Sequence, residues 1–198
     1  MQFQPFPKLS RLSTSCIITE KLDGTNAQIV ISEATSEDMD MTNETIAVVN
    51  GLALRAGSRS RWITPGKATD NYGFAAWAER NAPELAKLGL GQHFGEWYGH
   101  GIQRGYGLGE RHFALFNSER WGPHNPQTPN CVQVVPVLHK GAFSDADIEE
   151  AMCDLRMNGS RMVDGFMNPE GIVVYVHSAR SLFKKTFEYD LGKWQEAA

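Results

Sequence analysis

The 198-residue chain is poor in cysteine: Cys16, Cys131 and Cys153 stand far apart and form no CxxC pair. That excludes a disulfide framework and a cysteine-rich zinc site, and it implies reduced, part-buried thiols in a cytoplasmic protein. No apolar run reaches the roughly 18 residues that a membrane-spanning helix needs, so no membrane partner is expected. Met1 to Arg11 has two prolines and no apolar stretch, which argues against a signal peptide. A basic excess is also lacking. Lys plus Arg is 19 against 23 Asp plus Glu, a net charge of −4. A uniformly basic nucleic-acid coat is therefore excluded, while a local basic patch is not. GxxxxGK[ST], GxSxG and HExxH are absent, and Gly99 to Gly105 is glycine-rich without being GxGxxG. The six histidines show no ligand spacing, so His93 and His100 are read as structural or surface residues. There is no internal repeat and no low-complexity segment.

What is present suits one well-buried core. Hydrophobic residues make up 41% and aromatics 10%, spread throughout, which argues against a long disordered tail and for a single domain over 1–198. Thr14 to Ile31 carries β-branched runs around Gly24, two strands with a special loop between them. Glu33 to Glu44 holds five carboxylates and no basic residue, the pattern of a solvated turn or loop. Ile46 to Leu54 predicts a returning strand. Asn71 to Leu88 spaces Phe74, Trp77, Ala78, Leu85 and Leu88 as a helix that Pro83 restarts or kinks. His93 to Trp97, Phe113 to Phe116 and Val132 to Leu138 read as strands. Ser144 caps a helix to Met157 with Asp147 three residues on. Gly171 to His177 and Leu182 to Glu188 read as two closing strands. Strands dominate and no βαβ alternation appears, so the fold class is α+β with antiparallel sheets.

Chemistry concentrates first in Glu20-Lys21-Leu22-Asp23-Gly24-Thr25-Asn26. A lysine between a β-branched strand and a glycine turn is held in a defined place and can serve as a nucleophile toward phosphorus or carbonyl. Alone, such a piece is more often a plain surface turn. It is followed in order by Phe94-Gly95-Glu96-Trp97, His112-Phe113-Ala114-Leu115-Phe116, Pro169-Glu170-Gly171-Ile172-Val173-Val174-Tyr175 and Leu182-Phe183-Lys184-Lys185-Thr186. This ordered series resembles the covalent nucleotidyltransferase superfamily, and within it the ATP-dependent RNA ligase family, over nearly the whole chain.

The resemblance implies a nucleotidyltransferase fold, two antiparallel sheets flanked by helices. It implies an enzyme that takes AMP from ATP onto Lys21, passes it to an RNA 5′-phosphate and seals to a 3′-hydroxyl. The expected cofactors are ATP and Mg²⁺ or Mn²⁺, and the expected partners are RNA ends, single-stranded or nicked. Free lysine amines are mostly ammonium at neutral pH and poor nucleophiles, so nearby cations or a metal must favour the neutral form. Glu170 takes the position that contacts metal-bound water. Glu96 takes a ribose hydroxyl or supports the site. Phe113 matches the aromatic that stacks on adenine, with core packing as the rival reading and Phe116 on the opposite face of the strand. Glu20 and Asn26 are placed to read adenine or ribose edges. Arg59 is the arginine expected on phosphate, with Arg55 and Arg61 as rivals and with Arg59 and Arg61 sharing a face if the segment is a strand. Arg104, Arg111 and Arg120 are further candidates for the RNA backbone, and with a net acidic chain such binding should be local and salt-sensitive.

Two departures stand out. The family's last motif has Lys-x-Lys, whereas here Lys184-Lys185-Thr186 leaves open which lysine faces the pocket. Only twelve residues follow Thr186, so a bare nucleotidyltransferase domain is expected, without the extra C-terminal domain of many such ligases. The alternatives that share this lysine chemistry are a DNA ligase or capping-type nucleotidyltransferase. A non-catalytic nucleotide- or RNA-binding module on the same fold is a third reading.

Overall fold

Alternation of buried and half-buried residues is clearest in one long strand. In β2 (Thr25–Glu33), Ala27, Ile29 and Ile31 are buried and the residues between them are not, the period of a strand with one face on a core. The computed structural model describes residues 2–6, 14–40 and 44–188. Part of the N-terminal reading (residues 1 and 7–11) and residues 41–43 of the acidic stretch therefore fall outside the described residues. The elements are β1 (Ser15–Lys21), β2, α1 (Ser36–Met39), β3 (Thr45–Val49), β4 (Leu52–Gly57), β5 (Trp62–Ile63), α2 (Phe74–Arg80), α3 (Ala82–Leu85), β6 (Gly91–Gly99), β7 (Arg111–Leu115), β8 (Gln133–Val134), β9 (Val137–Ala142), α4 (Asp145–Asn158), β10 (Gly171–Val176) and β11 (Ser181–Thr186). The fold is α+β with two mostly antiparallel sheets, as the sequence indicates.

The chain forms two compact units. One combines the described residues up to Lys21 with those from Pro136 onward. Its sheet has the order β11-β10-β1-β9. Cys16 and Ile18 of β1 and Ile172, Val174 and Val176 of β10 pack with Ala151, Met152 and Leu155 of α4. Burying side chains of the larger kind stabilises by roughly 1.5–3 kcal/mol each, which ties α4 to one face of the sheet. Ser144 caps α4 by accepting from the Asp147 N–H at 3.2 Å, and the helix ends where Gly159 N–H reaches Leu155 O at 2.9 Å.

The other unit runs from Leu22 to Val135. Its sheet has the order β3-β4-β2-β6-β7-β8, with β5 also on β4; among the described residues the β7–β8 pair is parallel and the others antiparallel. Phe74 and Trp77 of α2 pack on Trp97 and Phe113, with ring centroids 5.0–5.8 Å apart.

Four segments differ from the sequence reading. The single strand 46–54 is a hairpin, β3–β4, because Asn50 and Gly51 (φ 50° and 78°) make the tight turn that suits an Asn-Gly pair. The strand 132–138 is split by Pro136 into β8 and β9, which join different sheets. The helix 71–88 is α2, α3 and a 3-10 turn at Ala86–Leu88, with Pro83 in the first turn of α3. The acidic stretch is not all solvated. Asp38 is buried, accepts from Thr45 Oγ1 at 2.5 Å and pairs with Arg55.

Candidate active site

Lys21 is the last residue of β1, and its Nζ lies 2.6 Å from Glu170 Oε2. Both side chains are about one-fifth exposed, open enough for a substrate to reach. Glu170 precedes β10, where Lys21 and Gly171 are paired across the strands. Simple alternation would put Glu170 on the face of Ile172, toward α4. Gly171 breaks the alternation with φ 148°, a conformation closed to other residues here, since a Cβ would stand 2.1 Å from Lys185 O.

The register of β11 separates the two neighbouring lysines. Lys184 is paired with Val173 and Thr186 with Gly171, so both share the face of Thr19 and Lys21. Lys185 is paired with Ile172, on the α4 face, and its Nζ forms an ion pair with Glu149 of α4. The structure brings Lys184 to the Lys21 face and does not bring Lys185 there.

The turn after Lys21 is held by the glycine-rich loop. Asp23 Oδ2 accepts from Arg104 Nε at 3.0 Å, and the Asp23 N–H donates to Tyr106 Oη at 2.7 Å. Gly24 N–H donates to Glu96 Oε1 at 3.2 Å. A Cβ at Gly24 would meet Trp97 O at 2.5 Å, so only glycine allows this approach. Glu96 thus holds the turn after Lys21. Asn26 is paired with Glu96, and both lie on the sheet face away from α2.

The aromatic assignment needs correcting. Phe113 is fully buried, with its ring 5.0 Å from Phe74 and 5.8 Å from Trp77, so neither face is open to a base. Phe94 and Phe116 are exposed by 45% and 39%. Phe94 alternates with Gly95 onto the Glu96 face. Phe116 extends the ladder through its N–H to Phe94 O at 3.0 Å, so it falls on the same side.

The arginines also sort differently. Ser58 to Arg61 is a turn closed by Ser58 N–H to Arg61 O at 2.8 Å, so Arg59 and Arg61 do not share a strand face. Arg59 is exposed on that turn. Arg61 donates to Thr69 O at 3.0 Å, and Arg55 is occupied by Asp38. Arg104, Arg111 and Arg120 are not a free cationic cluster. Arg104 holds Asp23, Arg111 donates to His100 O and Tyr72 O, and Arg120 donates to Leu88 O and stacks over Trp121.

Glu20 faces away from Lys21 and is 1% exposed. Its Oε1 accepts from Ser160 Oγ at 2.6 Å, and its Oε2 accepts from the N–H groups of Arg161 and Met162 at 2.7 and 2.9 Å. Burial pushes this carboxyl above its ordinary range, and the three donors pull partly against that. The structure therefore turns Glu20 into the protein rather than toward a nucleotide. Sequence gave no sign of its partners, which lie about 140 positions away in an irregular segment.

Among the described residues no group of three or more His, Cys, Asp or Glu is placed to hold a metal ion. Glu170 offers a hard oxygen beside Lys21. That donor suits a hydrated Mg²⁺ or Mn²⁺ completed by water and phosphate oxygens, not an all-protein cage.

The fold is of the nucleotidyltransferase type seen in solved RNA ligase structures. The sequence pattern of the RNA ligase family matches residues 14–194, and the chain belongs to that family. No curated protein matches. Solved structures of Naegleria gruberi RNA ligase variants are similar in fold. One with ATP and Mn is 19% identical with a TM-score of 0.55, over 92% of this chain and 52% of that one. A second with ATP and Mn is 17% identical with a TM-score of 0.54, over 87% and 49%. A third, with AMP and Mn, is 18% identical with a TM-score of 0.51, over 87% and 49%. The chain thus spans about half the length of the RNA ligases it matches.

Proposed function

We propose that this chain is an ATP-dependent RNA ligase working through a lysine–AMP intermediate on Lys21. The observation that carries the reading is the Lys21–Glu170 contact of 2.6 Å in a chain of the RNA ligase family. The ATP, AMP and Mn of the Naegleria structures support the choice of nucleotide and of a divalent metal.

In the first step Lys21 Nζ, having lost a proton to solvent, attacks the α-phosphorus of ATP. An N–P bond forms, the bond to the bridging oxygen breaks, and pyrophosphate leaves. An RNA 5′-phosphate oxygen then attacks the same phosphorus, forming a 5′–5′ pyrophosphate linkage and freeing Lys21. Last, an RNA 3′-hydroxyl gives up its proton and attacks the 5′-phosphate, forming the phosphodiester and releasing AMP. Positioning and charge neutralisation supply most of the catalysis in phosphoryl transfer. Lys184, on the Lys21 face, is the cation placed for the phosphoryl oxygens. Glu170 holds the amine and is the residue to hold the metal through its water; the metal, when bound, neutralises phosphate charge. Within the Leu22–Val135 unit, Phe94 and Phe116 are exposed aromatics of the kind that stack on a base, and Arg59 is an exposed guanidinium of the kind that binds phosphate.

Sealing of nicked RNA with ATP tests this reading, run beside nicked DNA and beside GTP. Sealed RNA with ATP supports it. Sealing of DNA alone, or dependence on GTP, moves the chain to the DNA ligase or capping class.

A further inference from the structure

We propose that Glu20 is a positioning residue: its buried carboxylate fixes the segment leading to Glu170 and thereby sets Glu170 against Lys21. This rests on the reading of Lys21 as the adenylylated amine.

A carboxylate on the core face of a sheet is costly to bury, and an apolar side chain there would cost less. Glu20 stands in line with Cys16 and Ile18, which are apolar and packed under α4. What the carboxylate does instead is accept from three donors on consecutive residues, Ser160, Arg161 and Met162. These donors belong to a stretch without helix or strand, whose backbone N–H groups have no ladder to join. Ser160 extends the arrangement. Its Oγ donates to Glu20 and accepts from the N–H groups of Met162 and Val163 at 3.1 and 3.0 Å, while its own N–H donates to Phe166 O at 2.8 Å. Arg161 adds an ion pair back to Asp154 on α4. The backbone of Glu20 is fixed as well, with its N–H on Pro136 O at 3.0 Å.

The segment pinned in this way begins at Gly159, where α4 ends, and ends at Glu170, whose carbonyl accepts from Phe187 N–H at 3.1 Å. Residue 20 therefore anchors the chain that delivers Glu170, while residue 21, its covalent neighbour on the opposite face, is the amine that Glu170 meets. One strand end carries both the reacting group and the anchor for its partner. A misplacement of about 1 Å at such a site can cost on the order of 10²-fold in rate.

The test compares Glu20→Ala, Glu20→Gln, Ser160→Ala, Glu170→Gln and the Glu20→Ala/Glu170→Gln double variant. Three quantities are read: the single-turnover rate of protein–AMP formation at saturating ATP, ATP affinity, and amide hydrogen exchange of residues 159–170. Glu20→Ala should slow the step by roughly 10- to 10²-fold with ATP affinity nearly unchanged. Ser160→Ala should slow it in the same sense, Glu20→Gln should recover part of the loss, and the double variant should be no slower than Glu170→Gln alone. Weakened ATP binding with the saturated rate intact would overturn the proposal by putting Glu20 on the nucleotide. Additive losses in the double variant would overturn it too. If Glu20→Ala does not fold, Glu20→Gln and Ser160→Ala decide by the same criteria. If the wild-type protein forms no AMP adduct, the proposed function fails, and amide exchange decides the positioning role on its own. Faster exchange over 159–170 in Glu20→Gln and Ser160→Ala supports it, and unchanged exchange overturns it.

Discussion

Lys184 and Lys185 differ by one position and by everything around them. Lys184 shares the Lys21 face of the sheet, while Lys185 pairs with Glu149 on the α4 side. Replacing a cation that meets developing charge typically costs 10²- to 10³-fold, so Lys184→Ala should slow AMP transfer to Lys21 by roughly 10²-fold. Lys185→Ala should leave that rate unchanged and cost at most about 1 kcal/mol in denaturant unfolding, because its partner is largely exposed. A rate loss confined to Lys185→Ala would reverse the register argument. The nearness of Lys21 and Glu170 was legible through the order of the motif blocks that carry them, not through either block alone. Phe113 was not. Strand parity says that Phe113 and Phe116 point to opposite faces, but not which face lies under α2. Glu20 was illegible for a different reason: its partners are backbone N–H groups in a segment with no periodicity.

Single residues act through the elements that carry them, and β10 depends on its first residue. Gly171→Ala places a Cβ 2.1 Å from Lys185 O and 2.8 Å from Thr186 Cα. The expected result is a loss of roughly 1–3 kcal/mol in denaturant unfolding, together with loss of the AMP adduct as Glu170 shifts. Adduct formation at the wild-type rate would show that the aim of Glu170 does not depend on this backbone. In β6, His93 is buried and its Nε2 donates to Gly89 O at 2.9 Å. Burial holds its imidazole below the ordinary histidine range. As pH falls through about 6.5 the unfolded chain takes up this proton before the folded one does, so the stability present above that pH is progressively lost below it. Thermal midpoints at about pH 7.5 and about pH 5.5 should fall less in His93→Gln than in the wild type. Equal falls would remove His93 from the account. Strands are legible in the sequence where β-branched and apolar runs mark them, as in β1, β2 and β10. They are not where the backbone decides, as at the Asn50-Gly51 turn and at Pro136. Both carry turn or breaker residues, so the signals were present and were outweighed by the apolar runs around them.

For the molecule as a whole, the order of motifs along the chain was more informative than any one of them. Five short blocks identified the family that the match over residues 14–194 establishes. The mostly antiparallel α+β architecture followed from strand content and the absence of βαβ alternation. The distribution of charge was harder to read. A net charge of −4 says nothing about where cations point, and most arginines that looked available for RNA are occupied by carbonyls or carboxylates of the chain itself. The central claim remains local, that Lys21 is an amine that forms a bond to phosphorus. Incubation of the wild type and Lys21→Ala with ATP labelled at the α-phosphate and a divalent metal, followed by peptide mass spectrometry, tests it most directly. One AMP is expected on the peptide containing Lys21 in the wild type and none in the variant. An adduct that survives in Lys21→Ala, or that sits on another residue of the wild type, would contradict it.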